Sequence, residues 1–197
     1  MTLTLHLIRH GHYDMLDRAL SGRAAGHSLS PQGRAQAEAL AGVLGQAPLV
    51  SILSSPLERA RETAAPLARL RGIPVRVKPA FNEIDVGSWT GMTFEALASE
   101  PEWRRWNTLR SMGCPPGGET MQAVQARAVA AVQTFGDGEG DIAVVTHADV
   151  IKALLTYFLG MPLDLHGRLE VAPASRSVVR LFENAVRVEA INLPPTP

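Results

Sequence analysis

Three short apolar runs, each ending at a polar residue and followed by a helical pattern, constrain the fold of this chain most. The runs lie at 3–8, 49–53 and 141–146 and consist of residues typical of buried strands. Strands that alternate with helices form parallel sheets with helices packed on both faces. The sequence therefore predicts an α/β fold with a doubly wound, mostly parallel sheet flanked by helices.

Capping residues predict where two of the helices begin. Ser30, followed directly by proline, combines a good N-cap with a residue that suits the first helical position. Ser55 and Glu58 have the spacing of a capping box, so a second helix is expected to begin at Ser55 and run to about Arg71. Pro66 lies inside that helix and is expected to kink or shorten it.

The rest of the chain adds edge strands, a helix and an insertion. Residues 73–77 are predicted to form a third strand, and the prolines that flank them favour a position at a sheet edge. Residues 80–118 hold all three tryptophans and predict a small cap insertion of short helices. An amphipathic helix is expected over 119–135. Alternating residues at 177–183 and 186–193 predict a terminal hairpin or two edge strands.

Length, charge and cysteine content narrow the class of protein. The chain has 197 residues, 19 basic and 19 acidic side chains and a single cysteine. One domain over 1–197 is expected, and zero net charge argues against nucleic acid or a membrane as a partner. With no possible disulfide and no long apolar run, we expect a cytoplasmic protein, as a monomer or homodimer.

Polar residues at strand ends suggest where the chemistry lies. In doubly wound sheets, ligands bind beyond the carboxyl ends of the strands. His10 follows the first strand, Arg59 lies in the first turn of the helix after the second strand, and His147 follows the strand at 141–146. These three residues are expected to converge on one rim of the sheet.

The run Arg9-His10-Gly11 suits phosphoryl transfer. A neutral imidazole attacks phosphorus through one ring nitrogen while a backbone carbonyl holds the other, and Gly11 would let the phosphate approach the backbone. Arg59, near a helix N-terminus, adds planar contacts to phosphate oxygens. The alternative for the tripeptide is an exposed pair at a strand end, and three residues alone leave both readings open.

Acidic and imidazole groups elsewhere supply candidates for proton transfer. A carboxylic acid must protonate the leaving oxygen, and Glu83 and Asp85 share one side of an extended segment. His147, at the exit of a buried strand, is a further candidate. The alternatives are surface acids on a loop and a core or capping histidine.

Taken together, these segments resemble the histidine phosphatase superfamily, also called phosphoglycerate mutase-like. The matching blocks occur in order: Arg-His-Gly at 9–11, Ser-Ser-Pro-Leu-x-Arg-Ala-x-x-Thr-Ala at 54–64, Glu-x-x-x-Gly-x-Trp-x-Gly at 83–91, Pro-Pro-Gly-Gly-Glu-Thr at 115–120 and Thr-His at 146–147. The resemblance spans nearly the whole chain. It is strongest to the phosphomutase and α-ribazole phosphatase-like branch.

The resemblance implies a role for each matched residue. His10 would carry the phosphoryl group during turnover, and Arg9, Arg59 and His147 would complete the phosphate pocket. Glu83 would act first as general acid and then as base for water. Neither a metal ion nor another cofactor is implied, and the expected partner is a small phosphorylated metabolite.

The chain departs from the family pattern in two places. Where family members often place a phosphate-binding Asn, this chain has Leu16, so that contact is missing or supplied by another group. The common His-Gly pair is His147-Ala148, in which the backbone N–H of Ala148 remains available to substrate. Arg23 lies in a segment that usually borders the pocket and is expected to contact substrate.

Four functions remain open from the sequence. The leading one is a phosphatase, and the first alternative is a phosphomutase that returns the phosphoryl group to its substrate. A metal-dependent hydrolase built on His10 and His12 is a third possibility. The fourth is a non-catalytic, phosphate-binding regulatory protein that keeps the pocket.

Overall fold

The computed structural model describes residues 2–135 and 140–196 and has a six-stranded sheet with helices on both faces. The strands are β1 (Thr2–Arg9), β2 (Leu49–Ser54), β3 (Val75–Val77), β4 (Gly140–Thr146), β5 (Arg176–Phe182) and β6 (Ala185–Leu193). The helices are α1 (Pro31–Leu44), α2 (Glu58–Arg71), α3 (Phe94–Ala98), α4 (Pro101–Thr108), α5 (Met121–Gln133) and α6 (Ala148–Phe158), with short 3₁₀ turns at Pro79–Phe81, Gly87–Trp89 and Leu163–Arg168.

The strand order β3-β2-β4-β1-β5-β6 confirms the predicted α/β class. Strands β1 to β4 run parallel to one another, whereas β5 is antiparallel to both β1 and β6. The predicted terminal hairpin is therefore present, and β3 lies at the sheet edge as its flanking prolines indicated. Within the described residues, no helix is both long and apolar enough to span a bilayer.

Alternate residues of the central strands supply the two cores. Leu7 and Val144 pack with α5 and α6 on one face, and Ile8 and Val145 pack with α1 and α2 on the other. All four are fully buried, which explains why these strands read as continuous apolar runs. The central strands are therefore packed on both faces up to the carboxyl edge of the sheet.

The first helix begins as its sequence predicts, but the second does not. Ser30 caps α1, and its hydroxyl accepts a hydrogen bond from the Gly33 N–H at 3.1 Å. The capping box predicted at Ser55 is wrong, since α2 begins at Glu58 with no side-chain cap. The Ser55 hydroxyl instead lies 2.7 Å from a ring nitrogen of His147.

Pro66 does not shorten α2, which continues to Arg71. The proline is buried in the helix interior. Packing of α2 against the sheet and against α1 holds the helix together despite the missing N–H, so tertiary contacts outweigh the local cost of a proline.

The segment at 80–118 contains short helices, as expected, and packs into the main core. Trp89 and Trp106 are 3% and 1% exposed, and their rings meet edge to face with centroids 5.7 Å apart. The guanidinium of Arg110 lies 3.2 Å from the Trp106 ring centroid. Packing is thus the main role of these aromatic residues, while Met112 remains 72% exposed.

Candidate active site

The carboxyl ends of β1, β2 and β4 meet at one edge of the sheet. Arg9 pairs with Thr146 in the parallel register, and Ser54 pairs with Val145. The backbone N–H of His10 donates to the Thr146 carbonyl at 2.9 Å, which extends the ladder one residue past the strand. The sheet itself therefore fixes where the residues after these strands lie.

His10 is held in one orientation by its own backbone. Its Nδ1 lies 2.8 Å from the carbonyl oxygen of Gly11, and a carbonyl can only accept, so Nδ1 carries the proton. That tautomer leaves a lone pair on Nε2. Burial, followed by the nearby charges of Arg59 and Arg9, holds the pKa of His10 well below its ordinary value of 6.5. The imidazole is therefore neutral and nucleophilic over the physiological pH range.

Packing within the protein is by itself enough to require glycine at position 11. A Cβ at Gly11 would stand 2.8 Å from the carbonyl oxygen of Gly33, in the first turn of α1. The Gly11 N–H donates to the Thr63 hydroxyl at 2.9 Å. The residue after His10 is thus held between α1 and α2.

His147 lies beside His10, with ring centroids 5.1 Å apart, and is fully buried. Its Nε2 contacts the Ser55 hydroxyl at 2.7 Å, and its Nδ1 lies 3.5 Å from a carboxylate oxygen of Glu83. That separation is too long for a strong hydrogen bond, and Nδ1 has no closer partner among the described residues. Burial first, and then the proximity of His10 and Arg59, hold the pKa of His147 well below 6.5.

Two arginines supply positive charge to the same region. Arg59 is 1% exposed, donates one nitrogen to the Gly22 carbonyl at 2.8 Å and lies 5.2 Å from the ring centroid of Tyr13. Arg9 donates to the Val171 carbonyl at 2.7 Å. Within the described residues, Arg59 Nε and Nη1 and Arg9 Nε are buried without a partner. Buried unpaired donors beside a neutral imidazole are what a bound phosphoryl group would satisfy.

Glu83 is the acid that the structure places next to these groups. Its side chain is 15% exposed, and one carboxylate oxygen accepts the Ile84 N–H at 2.9 Å. Burial, followed by repulsion from Asp149, raises the pKa of Glu83 from 4.5 to about 7, against the opposing effects of Arg59 and Arg9. A carboxyl group that is half protonated near neutral pH can donate and accept a proton in turn.

Arg23 makes contacts other than those expected of a substrate residue. It donates to the Glu83 carbonyl at 2.7 Å and to the Glu119 carboxylate at 2.9 Å, and approaches Asp85 at 3.4 Å. Arg127 binds the same Glu83 carbonyl at 3.2 Å and the same Glu119 carboxylate at 2.8 and 3.0 Å. Arg23 thus positions the backbone of Glu83, and Asp85 is one of its partners.

Ala148 is the first residue of α6. A backbone N–H at that position has no partner within its own helix, so it remains available beside His147. The neighbouring Asp149 lies 3.4 Å from Arg110, which reaches over from the segment after α4. Asp149 is a functional candidate that sequence reasoning missed, because an acid in the first turn of a helix is common on electrostatic grounds alone.

Tyr13, Ser55 and Thr63 were also missed as site residues. The Tyr13 ring lies 5.4 Å from the His10 ring, within the segment where the chain departs from the family pattern. Leu16, at the usual position of the phosphate-binding Asn, lies in the turn that follows. Ser55 and Thr63 both belong to the matched block at 54–64, and their hydroxyl groups were the available signal.

The structure gives little support to a metal site at His10 and His12. His12 Nδ1 lies 2.8 Å from the Ser30 hydroxyl, and His10 Nδ1 lies against a carbonyl. Over 2–135 and 140–196, no three or more His, Cys, Asp or Glu side chains come together in a way that would hold a metal ion.

Comparisons with known proteins identify the family of this chain. The model of the histidine phosphatase superfamily (branch 1) matches residues 5–194. A bifunctional protein of Mycobacterium tuberculosis is 35% identical over 195 residues, covering 95% of this chain and 53% of that protein. The adenosylcobalamin/alpha-ribazole phosphatase of Salmonella typhimurium is 28% identical over 198 residues, covering 96% of each. The chain thus spans about half the length of the mycobacterial relative.

Solved structures share the whole architecture. Mycobacterial glucosyl-3-phosphoglycerate phosphatase superposes with a TM-score of 0.88 at 28% identity, covering 98% of this chain and 100% of that one. Bacillus stearothermophilus YhfR gives 0.90 at 29% identity, covering 97% of each chain. The family model, the ordered motifs and the shared fold agree, and the chain belongs to the histidine phosphatase superfamily, branch 1.

Proposed function

We propose that this protein is a metal-independent phosphatase that hydrolyses a small phosphorylated metabolite through a phosphohistidine at His10. The observation that carries the proposal is the contact of His10 Nδ1 with the Gly11 carbonyl, which leaves Nε2 as a neutral nucleophile. Among the described residues, Arg9 and Arg59 have buried donors without a partner, and the charges of both side chains act on His10. A phosphoryl group at this position would satisfy those donors.

In the first step, His10 Nε2 attacks phosphorus and the bond between phosphorus and the ester oxygen breaks. Protonated Glu83 donates its proton to that oxygen, which leaves as an alcohol. Arg9 and Arg59 neutralise the charge on the equatorial oxygens, so positioned side chains supply the stabilisation that phosphoryl transfer needs.

In the second step, the Glu83 carboxylate removes a proton from a water molecule as the water oxygen attacks phosphorus. The phosphorus–nitrogen bond breaks and inorganic phosphate leaves. Glu83 is protonated again and His10 is neutral, so both groups return to their starting state. A pKa of about 7 for Glu83 suits both halves of this cycle.

His147 has a supporting role in this scheme. Its Nε2 is fixed by the Ser55 hydroxyl, and its Nδ1 faces Glu83. Together with the N–H of Ala148 and the N-terminus of α6, it would bind the transferring phosphoryl group. Among the relatives, those named as phosphatases act on α-ribazole or glucosyl-3-phosphoglycerate phosphates by name, which supports a small phosphomonoester as substrate.

Trapping of the intermediate tests the proposal. Incubation of the protein with ³²P-labelled phosphomonoester, followed by rapid quenching in alkali, should leave one acid-labile phosphate per chain. His10→Ala should abolish both the label and phosphate release. His147→Ala, which removes the neighbouring imidazole, should slow labelling without abolishing it.

Two outcomes would contradict the proposal. Label that survives in His10→Ala would assign the nucleophile to another residue. Wild-type phosphate release no faster than that of His10→Ala would remove the enzymatic activity altogether. Formation of an isomeric phosphate ester in place of free phosphate would instead identify a phosphomutase.

A further inference from the structure

A pocket of about 570 Å³ lies beside Arg9 and is not used by the reaction described above. It is formed by Arg9, by Lys152 of α6 and by the loop 167–173, which begins at the end of the last 3₁₀ turn. Arg9 belongs both to this pocket and to the pair of arginines at His10. The pocket and the candidate phosphate site are therefore adjacent and share Arg9.

The side chains that line the pocket carry an excess of positive charge. Arg9, Lys152 and Arg168 contribute three cations, and Glu170 contributes one carboxylate. Across the part of the chain that the structure describes, none of these four has an ion-pair partner within 4.0 Å. Three unpaired cations around one cavity favour an anionic occupant.

Helix geometry directs Lys152 toward the boundary between this pocket and the candidate phosphate site. It lies four residues after Ala148, so both residues occupy one face of α6, and helical side chains lean toward the N-terminus. Burial lowers the pKa of Lys152, and the nearby cations Arg110 and Arg9 lower it further, against the opposing effect of Asp149. A bound anion would relieve the repulsion among these cations.

The wall of the pocket is attached to the nucleophile by the backbone. The Ala174 N–H donates to the His10 carbonyl at 3.1 Å, and the Arg9 N–H donates to the Ser175 carbonyl at 3.1 Å. Ala174 has a φ of 57°, a left-handed conformation that costs energy for a residue with a Cβ. The loop is thus held at a fixed distance from His10 at some cost in strain.

We propose that this pocket is a second anion subsite, which binds a carboxylate or a second phosphate of the phosphomonoester while His10 attacks its first phosphate. The inference rests on the proposed function for the identity of the first site. Lys152 supplies the main charge, the exposed Arg168 adds a second cation from the lining, and Arg9 contacts both anionic groups. The preferred substrates are therefore phosphomonoesters with a second anionic group a few bonds from the ester.

Matched substrate pairs test the subsite. Phosphooxyalkanoates of increasing chain length differ from phosphooxyalkanols of the same length only in the carboxylate, and alkanediol bisphosphates replace it with a second phosphate. The readout is the ratio of kcat/KM for the acidic compound to that for the neutral compound. One charge-assisted contact predicts a ratio of at least about tenfold, or about 1.4 kcal/mol, at the best spacer length.

Two variants assign that preference to the pocket. Lys152→Gln should reduce the ratio at least about fivefold, and addition of Arg168→Gln should bring it close to one. Arg69→Gln is the matched control, because Arg69 is a surface residue paired with Glu38 on the opposite face of the protein's sheet from α6. That control should leave the ratio unchanged.

A binding measurement separates this inference from the proposed function. Calorimetry on His10→Ala, in which substrate is not consumed, compares the affinities of the same acidic and neutral compounds without any turnover. Tighter binding of the acidic compound that is lost in Lys152→Gln supports the subsite even if the wild type proves inactive. Equal affinities and equal kcat/KM values at every spacer length would overturn it, while the phosphatase reaction would stand.

Discussion

Replacement of Glu83 by Gln tests the proton transfer at the centre of the mechanism. Glutamine keeps the shape of the side chain and an oxygen that can accept the Ile84 N–H, which Glu83 accepts at 2.9 Å. It cannot donate a carboxylic proton to a leaving oxygen or take one from water. The substitution therefore removes general acid and base catalysis while it preserves the phosphate pocket.

The expected magnitude follows from the pKa of Glu83. With a pKa of about 7, the carboxyl group is about half protonated at pH 7. With its ordinary value of 4.5, only about one carboxyl in 300 would be protonated at that pH. General acid catalysis contributes about 10²- to 10⁴-fold. We expect kcat/KM for an alkyl phosphate to fall at least about 100-fold in Glu83→Gln.

An aryl phosphate should respond differently. 4-Nitrophenolate leaves without a proton, so kcat/KM for 4-nitrophenyl phosphate should fall less than about tenfold. Hydrolysis of the phosphohistidine still needs a base, so kcat should fall further than kcat/KM. A rapid burst of nitrophenolate, about one per active site, should precede a slow steady rate.

Stopped-flow absorbance with both ester classes measures these effects, with Glu38→Gln on the exposed face of α1 as the matched control. Equal losses of kcat/KM for alkyl and aryl esters would refute the assignment of Glu83 as the acid. Absence of a burst, with kcat and kcat/KM falling together, would refute its role as the base.

The structure makes four further predictions. The kcat/KM for an alkyl phosphate should fall above about pH 7, because Glu83 then loses the proton that it donates. The same kcat/KM should stay constant into mildly acidic pH, because the pKa of His10 is well below 6.5, and a pH profile of kcat/KM measures both effects. Thr63→Val leaves a buried backbone N–H unpaired and should lower the free energy of unfolding by about 1–3 kcal/mol in urea denaturation, with Thr63→Ser as control. Gly33→Ala places a methyl group against the loop after β1 and should destabilise by at least about 1 kcal/mol, whereas Gly42→Ala, in open space on the same helix, should stabilise by about 0.5–1 kcal/mol. A chelator should leave the steady-state rate unchanged, since no proposed step involves a metal ion.

Local pattern predicted most of the fold in this chain. The central strands are buried on both faces, so their apolar runs stand out, and Ser30 caps its helix through a contact three residues away. The start of α2 was misread because the Ser55 hydroxyl contacts His147, 92 residues along the chain. Local spacing cannot show that a distant partner competes for a capping group.

The main residues of the candidate site were also predictable from local pattern, but the roles of others were not. His10, Arg59 and His147 come together as the strand ends implied, because parallel strands deliver their following residues to one edge. The role of Gly11 depends on the backbone of α1, and that of Asp149 on a charge from a separate segment. Such roles arise from pairs of elements whose relative placement no single motif encodes.

The position of β1 between β4 and β5 also affects how the protein folds during synthesis. This strand bonds only to β4 and β5 among the described strands, and its residue Leu7 pairs with Val144 and Ser177. During synthesis, β1 leaves the ribosome unpaired, and more than a hundred further residues are translated before either of its partner strands is complete. A nascent chain with an apolar strand left open on both edges is prone to aggregate, and contacts of such long sequence separation form slowly. His10, which directly follows β1, is therefore translated long before the two strands that fix its position.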